Sequence, residues 1–183
     1  MFKLFKPSYD LKPAFYKMTF DYRDFPEDDI RYFREAAKRN FDFVEYIRML
    51  HDHSLGIRLP KGLVPYDTFW MMDDGRQTIY AVSRLRHKLN VHSVREGGHI
   101  GYDVPPSLRK RGYGTELLRL TLVRAASMGF KKVLVTCDFD NEGSAKVIER
   151  NGGVFENEMV SSYSGKLVKR YWIDCSLLSG TQR

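Results

Sequence analysis

The sequence predicts an α/β (α+β) fold in which helices flank a mixed central sheet of about six to seven strands. Periodicity gives the order strand, helices, three strands, helix, strand, helix and two strands along the 183 residues. Residues 132–137 form a short, continuously apolar run, which is typical of a strand buried on both faces in a parallel or mixed sheet. Because 43% of the residues are apolar, the chain can bury its own core, and we expect a single domain over residues 1–183.

The first predicted elements are a strand and the helices that follow it. Residues 14–20 are rich in aromatic and branched side chains, which favour a strand. The acidic residues 27–29 suit a helix N-terminus, because carboxylates complement its exposed N–H groups. Apolar residues then recur at intervals of three and four, so residues 28–51 predict one interrupted helix or two consecutive helices. Glycines and prolines make residues 55–65 a loop.

Three strands are predicted in the middle of the chain. Residues 68–72 and 78–85 flank an Asp-Gly pair at 74–75, and this arrangement predicts a β-hairpin. Residues 99–104 predict a fourth strand, which ends at Pro105-Pro106 because proline cannot continue a ladder.

The second half of the chain alternates helices and strands. Helical spacing over residues 115–128 ends at Gly129, and the apolar strand at 132–137 follows. A shorter helix is predicted at 144–151. Residues 154–161 and 167–175 then predict a final hairpin.

The distribution of charge limits the class of partner. The chain has 30 Lys and Arg against 23 Asp and Glu, and its formal net charge of +7 favours anionic partners. A nucleic-acid-binding protein usually gathers its charge into one continuous patch. Here the basic residues form three small groups, at 84–88, 109–111 and 166–170, and only the second coincides with glycines.

Cysteine usage and hydropathy give an expected location. Cys137 and Cys175 belong to no CxxC pair, so we expect both to be reduced and structural. The N-terminus lacks the apolar stretch of a signal peptide, and no window approaches the ~18 apolar residues of a membrane span. We therefore expect a cytoplasmic protein that does not associate with membranes. His51 and His53 have no further ligand at metal-binding spacing, so we expect no metal.

The segment RKRGYGT at residues 109–115 carries the strongest functional signal. It joins a predicted strand to a helix, and its glycines let the backbone approach an anion while the first N–H groups of the helix point outward. A dinucleotide fingerprint would need a third glycine where Leu117 stands, and the Gly-Lys-Ser/Thr triplet of a Walker loop does not occur. With Arg109 and Arg111 beside it, the segment suits a pyrophosphate.

The same segment resembles the Arg/Gln-x-x-Gly-x-Gly/Ala motif of the GNAT (GCN5-related N-acetyltransferase) superfamily, with matches at Arg109, Gly112 and Gly114. A second block, from Asn141 to Gly152, is similar to the family's Asn after the fifth strand and its helix ending in Gly. The two blocks cover about residues 99–155. The resemblance implies a sheet that splays between its fourth and fifth strands and acetyl-coenzyme A as cosubstrate.

The resemblance also implies which residues contact the cofactor. Strand 99–104 would pair its main chain with the pantetheine arm, and a free N–H near Val104 would bind the oxyanion of the thioester carbonyl. The N–H groups from Arg109 through Thr115 would hold the pyrophosphate, with Asn141 and Ser144 on the other side of the arm. The full expected set is Tyr102, Asp103, Val104, Arg109, Lys110, Arg111, Gly112, Tyr113, Gly114, Thr115, Asn141 and Ser144.

Catalysis needs a base, because an amine with a pKa near ~10.4 is mostly protonated at neutral pH. Glu96 and His99, around the start of the fourth strand, are the nearest candidates by sequence. Many family members carry a Tyr as acid where this chain has Ile148, which cannot donate a proton. The acid would then be water, Tyr163 or Tyr171.

The sequence therefore favours an N-acetyltransferase in which an amine attacks acetyl-coenzyme A directly in a ternary complex. A basic nucleic-acid-binding module and a coenzyme-A-binding domain without catalysis stay open as alternatives. We expect a small-molecule or peptide amine as the acceptor and no nucleic-acid partner. The sequence leaves open whether the chain forms a homodimer. Residues 14–51 and the hairpin 154–175 would shape the acceptor side, where Glu156 and Glu158 would attract a cationic amine.

Overall fold

The computed structural model of the chain describes residues 1–23, 25, 36, 40–161, 165–176 and 178. Within these residues, the strands are β1 Lys3–Phe5, β2 Tyr66–Met72, β3 Ala81–Arg86, β4 Ile100–Asp103, β5 Lys132–Asp138, β6 Val154–Val160 and β7 Leu167–Asp174. The α-helices are α1 Lys12–Arg23, α2 Phe43–Leu55, α3 Tyr113–Ser127 and α4 Glu142–Arg150. Short 3-10 turns lie at Tyr9–Leu11 and Pro106–Leu108.

The first four strands form an antiparallel sheet in the order β1-β2-β3-β4. Strand β2 is buried along its whole length because helices cover both of its faces. On one face, Trp70 packs with Phe15 of α1 and Ile47 of α2. On the other face, Met71 packs with Leu117 of α3. The α/β fold class is thus confirmed, and the sheet forms the middle layer.

The last three strands form a second antiparallel sheet in the order β5-β7-β6. Every ladder among the described residues is antiparallel, so the predicted central sheet consists of two antiparallel sheets that adjoin through their edge strands β4 and β5. They meet where the His99 N–H, just before β4, donates to the Leu134 carbonyl at 2.7 Å. Beyond this point β4 is an edge strand of its own sheet, which leaves a wedge between β4 and β5.

The prediction of a strand at residues 14–20 is wrong, because this segment lies inside helix α1. Its buried residues include Ala14, Phe15, Met18 and Tyr22, whose spacing places them on one helical face. Pro13 lies at the start of the helix, where its missing N–H costs no hydrogen bond. The aromatic content suggested a strand, but burial follows the helical period. The first strand is instead β1.

The prediction of helix over 28–51 can be compared with the structure only in part. The acidic residues 27–29 and most of the segment before residue 40 lie outside the described residues. Helix α2 begins after Asp42, whose carboxylate accepts from the N–H groups of Val44 and Glu45 at 2.8 and 3.1 Å. It ends one turn later than predicted, because Gly56 is the residue that takes the left-handed conformation, with φ of 77°.

The remaining predicted elements are confirmed, and their ends differ from the predicted ones by at most three residues. In the hairpin of β2 and β3, the positive φ falls on Arg76 at 52°, one residue after the predicted Asp-Gly pair. Cys137 and Cys175 are both free thiols, and burial raises the pKa of each to about 11. No helix in the described part of the chain is long and apolar enough to cross a membrane. The same residues contain no cluster of metal-ligating side chains.

Candidate functional site

The loop before α3 has the backbone of an anion-binding turn. Arg109, which follows the 3-10 turn, has an extended backbone. Lys110 and Gly112 then adopt positive φ values of 59° and 84°. Such alternation directs successive N–H groups toward one concave surface. Gly112 is the N-cap of α3, and among the described residues no side chain caps this helix. Its first N–H groups therefore remain available for a ligand, with three exposed basic side chains beside them.

The first turn of α3 lies against the end of β4 and against α4. A Cβ added to Gly114 would lie 3.4 Å from a methyl carbon of Val147 and 3.6 Å from one of Val104. One turn further along α4, the side-chain amide of its C-cap Asn151 donates to the carbonyl of Thr115 at 3.2 Å. The two sequence motifs are therefore adjacent in space, and Gly114 permits the close approach.

Tyr102 of β4 and Ser144 of α4 are in direct contact. The Tyr102 hydroxyl lies 2.6 Å from Ser144 Oγ and also donates to the Ser144 carbonyl at 3.2 Å. Burial raises the pKa of Tyr102 to about 12, so its hydroxyl stays protonated near neutral pH. Asn141 caps α4 by accepting from the Ser144 N–H at 2.9 Å. Its side chain orders the start of this helix.

The predicted free N–H at Val104 is not free in the structure. It donates to Oδ1 of Asp103 at 2.9 Å, and the Val104 carbonyl accepts from Nε of Arg109 at 3.0 Å. Arg109 therefore turns toward β4, with its Nη2 lying 3.9 Å from Asp103 Oδ1. The predicted strand residues and the basic loop are in direct contact, and side chains occupy backbone groups at the strand edge.

Tyr22 is a site residue that the sequence analysis missed. Its hydroxyl donates to Oδ2 of Asp103 at 2.5 Å, although the two residues are 81 positions apart. The neighbouring Asp21 accepts from the backbone N–H and hydroxyl of Ser107 at 3.1 and 3.0 Å. The end of α1 is thus bonded to the end of β4 and to the turn after it. Burial raises the pKa of Tyr22, and the nearby Asp103 carboxylate raises it further.

His99 lies at the junction of the two sheets. Its Nδ1 accepts from the Leu134 N–H at 2.9 Å, while its ring packs edge-on against Phe130. Burial, helped by the charge of Arg86, lowers the pKa of His99 to about 4. A neutral ring whose lone pair is already used has no capacity to accept a substrate proton, so the geometry gives His99 a structural role. The role of His99 as a base stays a prediction, and this geometry argues against it.

Glu96, the other predicted base, is half-buried in the loop before β4. Its backbone N–H donates to the His92 carbonyl at 3.0 Å, and the next residue, Gly97, donates to Thr136 Oγ1 at 2.9 Å. This loop therefore lies over β5. Its backbone positions the start of β4, and a role for the Glu96 carboxylate in proton transfer stays a prediction.

The replaced family acid is part of the core. Ile148 is fully buried, and a Cβ added to Gly153 would lie 2.4 Å from its methyl carbon. Of the predicted substitutes, Tyr171 is buried in the same core with its hydroxyl donating to Glu149 at 3.3 Å, and Tyr163 lies outside the described residues. The interior position of Tyr171 argues against a role at the wedge.

The two acidic residues of β6 differ in their contacts. Glu156 forms an ion pair of 2.9 Å with Arg170 on β7, which is itself nine-tenths buried. Glu158 is exposed and lies opposite Lys169 in the ladder. The Glu156 carboxylate thus already faces a cation, so its attraction for a cationic amine is weakened. The ammonium of Lys169 lies over the Phe139 ring instead, so the attraction of Glu158 for an amine stays a prediction.

Comparisons with known proteins agree with this geometry. The ribosomal L7/L12 alpha-N-protein acetyltransferase RimL, solved in complex with coenzyme A, superposes with a TM-score of 0.65 at 16% identity, covering 94% of this chain and 93% of that chain. A chimera of spermidine N-acetyltransferase SpeG from Vibrio cholerae with hSSAT gives a TM-score of 0.64 at 14% identity, covering 97% of both chains.

A third structure is the microcin C7 self-immunity acetyltransferase MccE in complex with acetyl-CoA and AMP. It gives a TM-score of 0.64 at 14% identity, with 94% of this chain and 92% of that chain covered. At such identities the likeness shows a shared fold. No curated protein sequence matches the chain. The family model described as "Acetyltransferase (GNAT) domain" matches residues 22–154, which are more than two thirds of the chain and include the site. The chain therefore belongs to the GNAT acetyltransferase family.

Proposed function

We propose that this protein is an N-acetyltransferase that uses acetyl-coenzyme A as its cosubstrate and an amine as its acceptor. The observation that carries the proposal is the position of the uncapped, basic N-terminus of α3 at the open end of β4. A pyrophosphate and an extended arm leading from it match these two features. The proposed reaction is direct attack by the amine in a ternary complex, without an acetylated enzyme.

The residues present fit acetyl-coenzyme A in both charge and space. A Cβ added to Gly112 would have no neighbour within 4 Å, so the loop is open where an anion would approach. The N–H groups of residues 113–115 would hold the pyrophosphate, and Lys110 and Arg111 would neutralise its charge. The bound cosubstrate would supply the activated acetyl group as a thioester.

The chain's own groups would orient this thioester at the wedge. The Val104 N–H is a preorganised donor at the end of β4, and it would bind the thioester oxygen once the Asp103 carboxylate releases it. The Tyr102–Ser144 contact would fix the distance between β4 and α4 on the opposite side of the arm. An apolar residue at 148 contributes no proton, so the departing thiolate would be protonated by another donor.

The acceptor is proposed as an amine of a small molecule or of a peptide N-terminus. Structural neighbours include a spermidine N-acetyltransferase and an enzyme described as modifying the N-terminal serine of a ribosomal protein. The alternative of coenzyme-A binding without catalysis is favoured by one observation, the core isoleucine at position 148. Location in the cytoplasm and assembly into a homodimer stay predictions from the sequence.

A pair of matched substitutions tests cofactor binding. Gly112 and Gly129 lie at opposite ends of α3, both with φ between 84° and 89°, and a Cβ on either would have no neighbour within 4 Å. Gly112→Asp adds a negative charge at the proposed pyrophosphate site, whereas Gly129→Asp adds the same strain at the far end. We expect calorimetry to show acetyl-coenzyme A binding weakened about 100-fold or more in the first variant alone.

The outcomes separate the candidate functions. Equal affinity of a folded Gly112→Asp protein and the wild type would contradict the cofactor site. Turnover is then followed as release of free thiol with spermidine and with a short peptide bearing an N-terminal serine. Tight binding with no thiol release from any amine would favour the domain without catalysis, and salt-sensitive binding of unrelated DNA would favour the nucleic-acid alternative.

A further inference from the structure

The carboxylate of Asp103 faces the side of β4 that the cofactor motifs do not cover. Successive side chains of a strand point to opposite faces, and Tyr102 reaches Ser144 of α4. Asp103 therefore points the other way, where it meets Tyr22 of α1. Its side chain is 26% exposed, so it remains accessible from outside. A charged group thus lies at the mouth of the wedge, on the face opposite the cofactor's second motif.

Two hydrogen bonds and one longer ion pair hold this carboxylate. Oδ2 accepts from the Tyr22 hydroxyl at 2.5 Å, Oδ1 accepts from the Val104 N–H at 2.9 Å, and Arg109 lies 3.9 Å from Oδ1. A carboxylate offers about four acceptor positions, so these contacts orient both oxygens while leaving capacity for one more donor. When Oδ1 releases the Val104 N–H to the thioester oxygen, Tyr22 and Arg109 still hold the carboxylate beside that N–H.

We propose that Asp103 is the catalytic base of the transfer and that Tyr22 is its positioning residue; this inference rests on the proposed acetyltransferase function. The ammonium of the acceptor donates one proton to a carboxylate oxygen of Asp103. The freed lone pair forms the C–N bond with the acetyl carbon, and the C–S bond breaks to release the thiolate of coenzyme A. The second proton passes from the nitrogen to the thiolate through water, and Asp103 returns its proton to solvent.

The environment of Asp103 suits this role better than that of His99, one of the two bases predicted from the sequence. Burial raises the pKa of Asp103 and outweighs the opposing effects of Tyr22, Arg109, the Val104 N–H and Arg84 of β3. A raised pKa strengthens a carboxylate as a base. His99, in contrast, uses its lone pair in the sheet junction.

Three variants test the role of Asp103. Asp103→Asn keeps the size of the side chain but cannot accept a proton, and we expect kcat/KM for the amine to fall about 100-fold or more. Acetyl-coenzyme A should bind it within about twofold of the wild-type affinity. Asp74→Asn is the control, because Asp74 is exposed, pairs with Lys3 and the N-terminal ammonium, and has no contact with Asp103 among the described residues. Thiol release is measured with spermidine and with the N-terminal serine peptide as a function of pH.

The position of the acidic limb of the pH profile distinguishes a base from a structural residue. The hydrogen bond from Tyr22 lowers the pKa of Asp103, so Tyr22→Phe should move the acidic limb to higher pH. The limb should disappear in Asp103→Asn and stay in place in Asp74→Asn. A folded Asp103→Asn enzyme with wild-type kcat and an unchanged limb would overturn the role of Asp103 alone. A wild-type protein that binds acetyl-coenzyme A but acetylates neither amine would overturn the proposed function, and this inference with it.

Discussion

The backbone polar groups at the two ends of β4 find their hydrogen-bond partners in different ways. At its start, the His99 N–H and Nδ1 bond to the backbone of Leu134, and the strand is closed against β5. At its end, the backbone groups of Val104 bond to the side chains of Asp103 and Arg109, and no ladder joins this edge among the described residues. The polar groups are hydrogen-bonded at both ends, but only at the first end are the partners backbone groups of another strand.

This difference shows how a sheet edge is prepared for a ligand. A backbone N–H or C=O group that is removed from water must be hydrogen-bonded. In a strand ladder it keeps the same partner as long as the protein is folded. Side-chain partners can rotate away when a better acceptor arrives, at the cost of a few rotamer changes. The closed end therefore positions the strand, and the open end retains groups that a cosubstrate can take over.

The largest effect is expected from Gly98→Ala, which breaks the closed end. Gly98 has φ of 56°, and an added Cβ would lie 2.3 Å from the carbonyl oxygen of Leu134. Left-handed strain and the clash with β5 should together lower the free energy of unfolding by roughly 3–5 kcal/mol. Urea denaturation measures the change.

Gly62→Ala is the matched control for this substitution. Gly62 also has a positive φ, of 90°, but an added Cβ would meet nothing within 4 Å. Strain without a clash should cost about 1–2 kcal/mol. Equal losses in the two variants would show that the contact between Gly98 and β5 adds nothing to stability.

The second effect is a dependence of stability on pH that originates at the closed end. Because burial lowers the pKa of His99 from 6.5 to about 4, the unfolded chain binds the proton more readily than the folded protein. Stability should therefore fall as the pH drops from 6.5 toward about 4, by up to about 3 kcal/mol from this residue. Below about pH 4, His99 should cause no further change in stability.

His99→Asn isolates that contribution, because the amide oxygen can still accept from the Leu134 N–H but does not titrate. The difference in unfolding free energy between wild type and variant, measured from pH 7 to pH 4, should shrink as the pH falls. A constant difference across this range would mean that the ring is protonated in the folded protein and that the closed end tolerates the charge.

The smallest effect is expected at the open end, from Arg111→Ala. Arg111 is exposed beside the N-terminus of α3, so its loss should leave stability unchanged but weaken acetyl-coenzyme A binding by about 1–3 kcal/mol. Arg124→Ala, near the other end of the same helix, is the control and should bind like the wild type. If calorimetry gives the same affinity for both variants, the Arg111 side chain contributes nothing to binding, and the backbone N–H groups and Lys110 hold the pyrophosphate.

The sequence alone determined the order of most elements and the location of the cofactor motifs. These features depend on local chemistry: glycines at 112 and 114, a helix that follows a strand, and Asn141 as a helix cap. The sequence did not determine the secondary structure of residues 14–20. Aromatic side chains favour a strand locally, whereas the core buries the residues of this segment at helical spacing. That error also hid Tyr22, whose spacing from Met18 was the available signal.

Only the tertiary structure decided which side chains meet. The contact between Tyr22 and Asp103 joins a helix and a strand 81 residues apart, and the commitment of His99 to Leu134 spans 35 residues. Neither follows from local pattern, because periodicity gives the face on which a side chain lies but not its partner. A histidine that looks like a base in sequence becomes part of a sheet junction, and an aspartate expected to line the cofactor faces the opposite side, because packing of α1 and β5 against β4 fixes both surroundings.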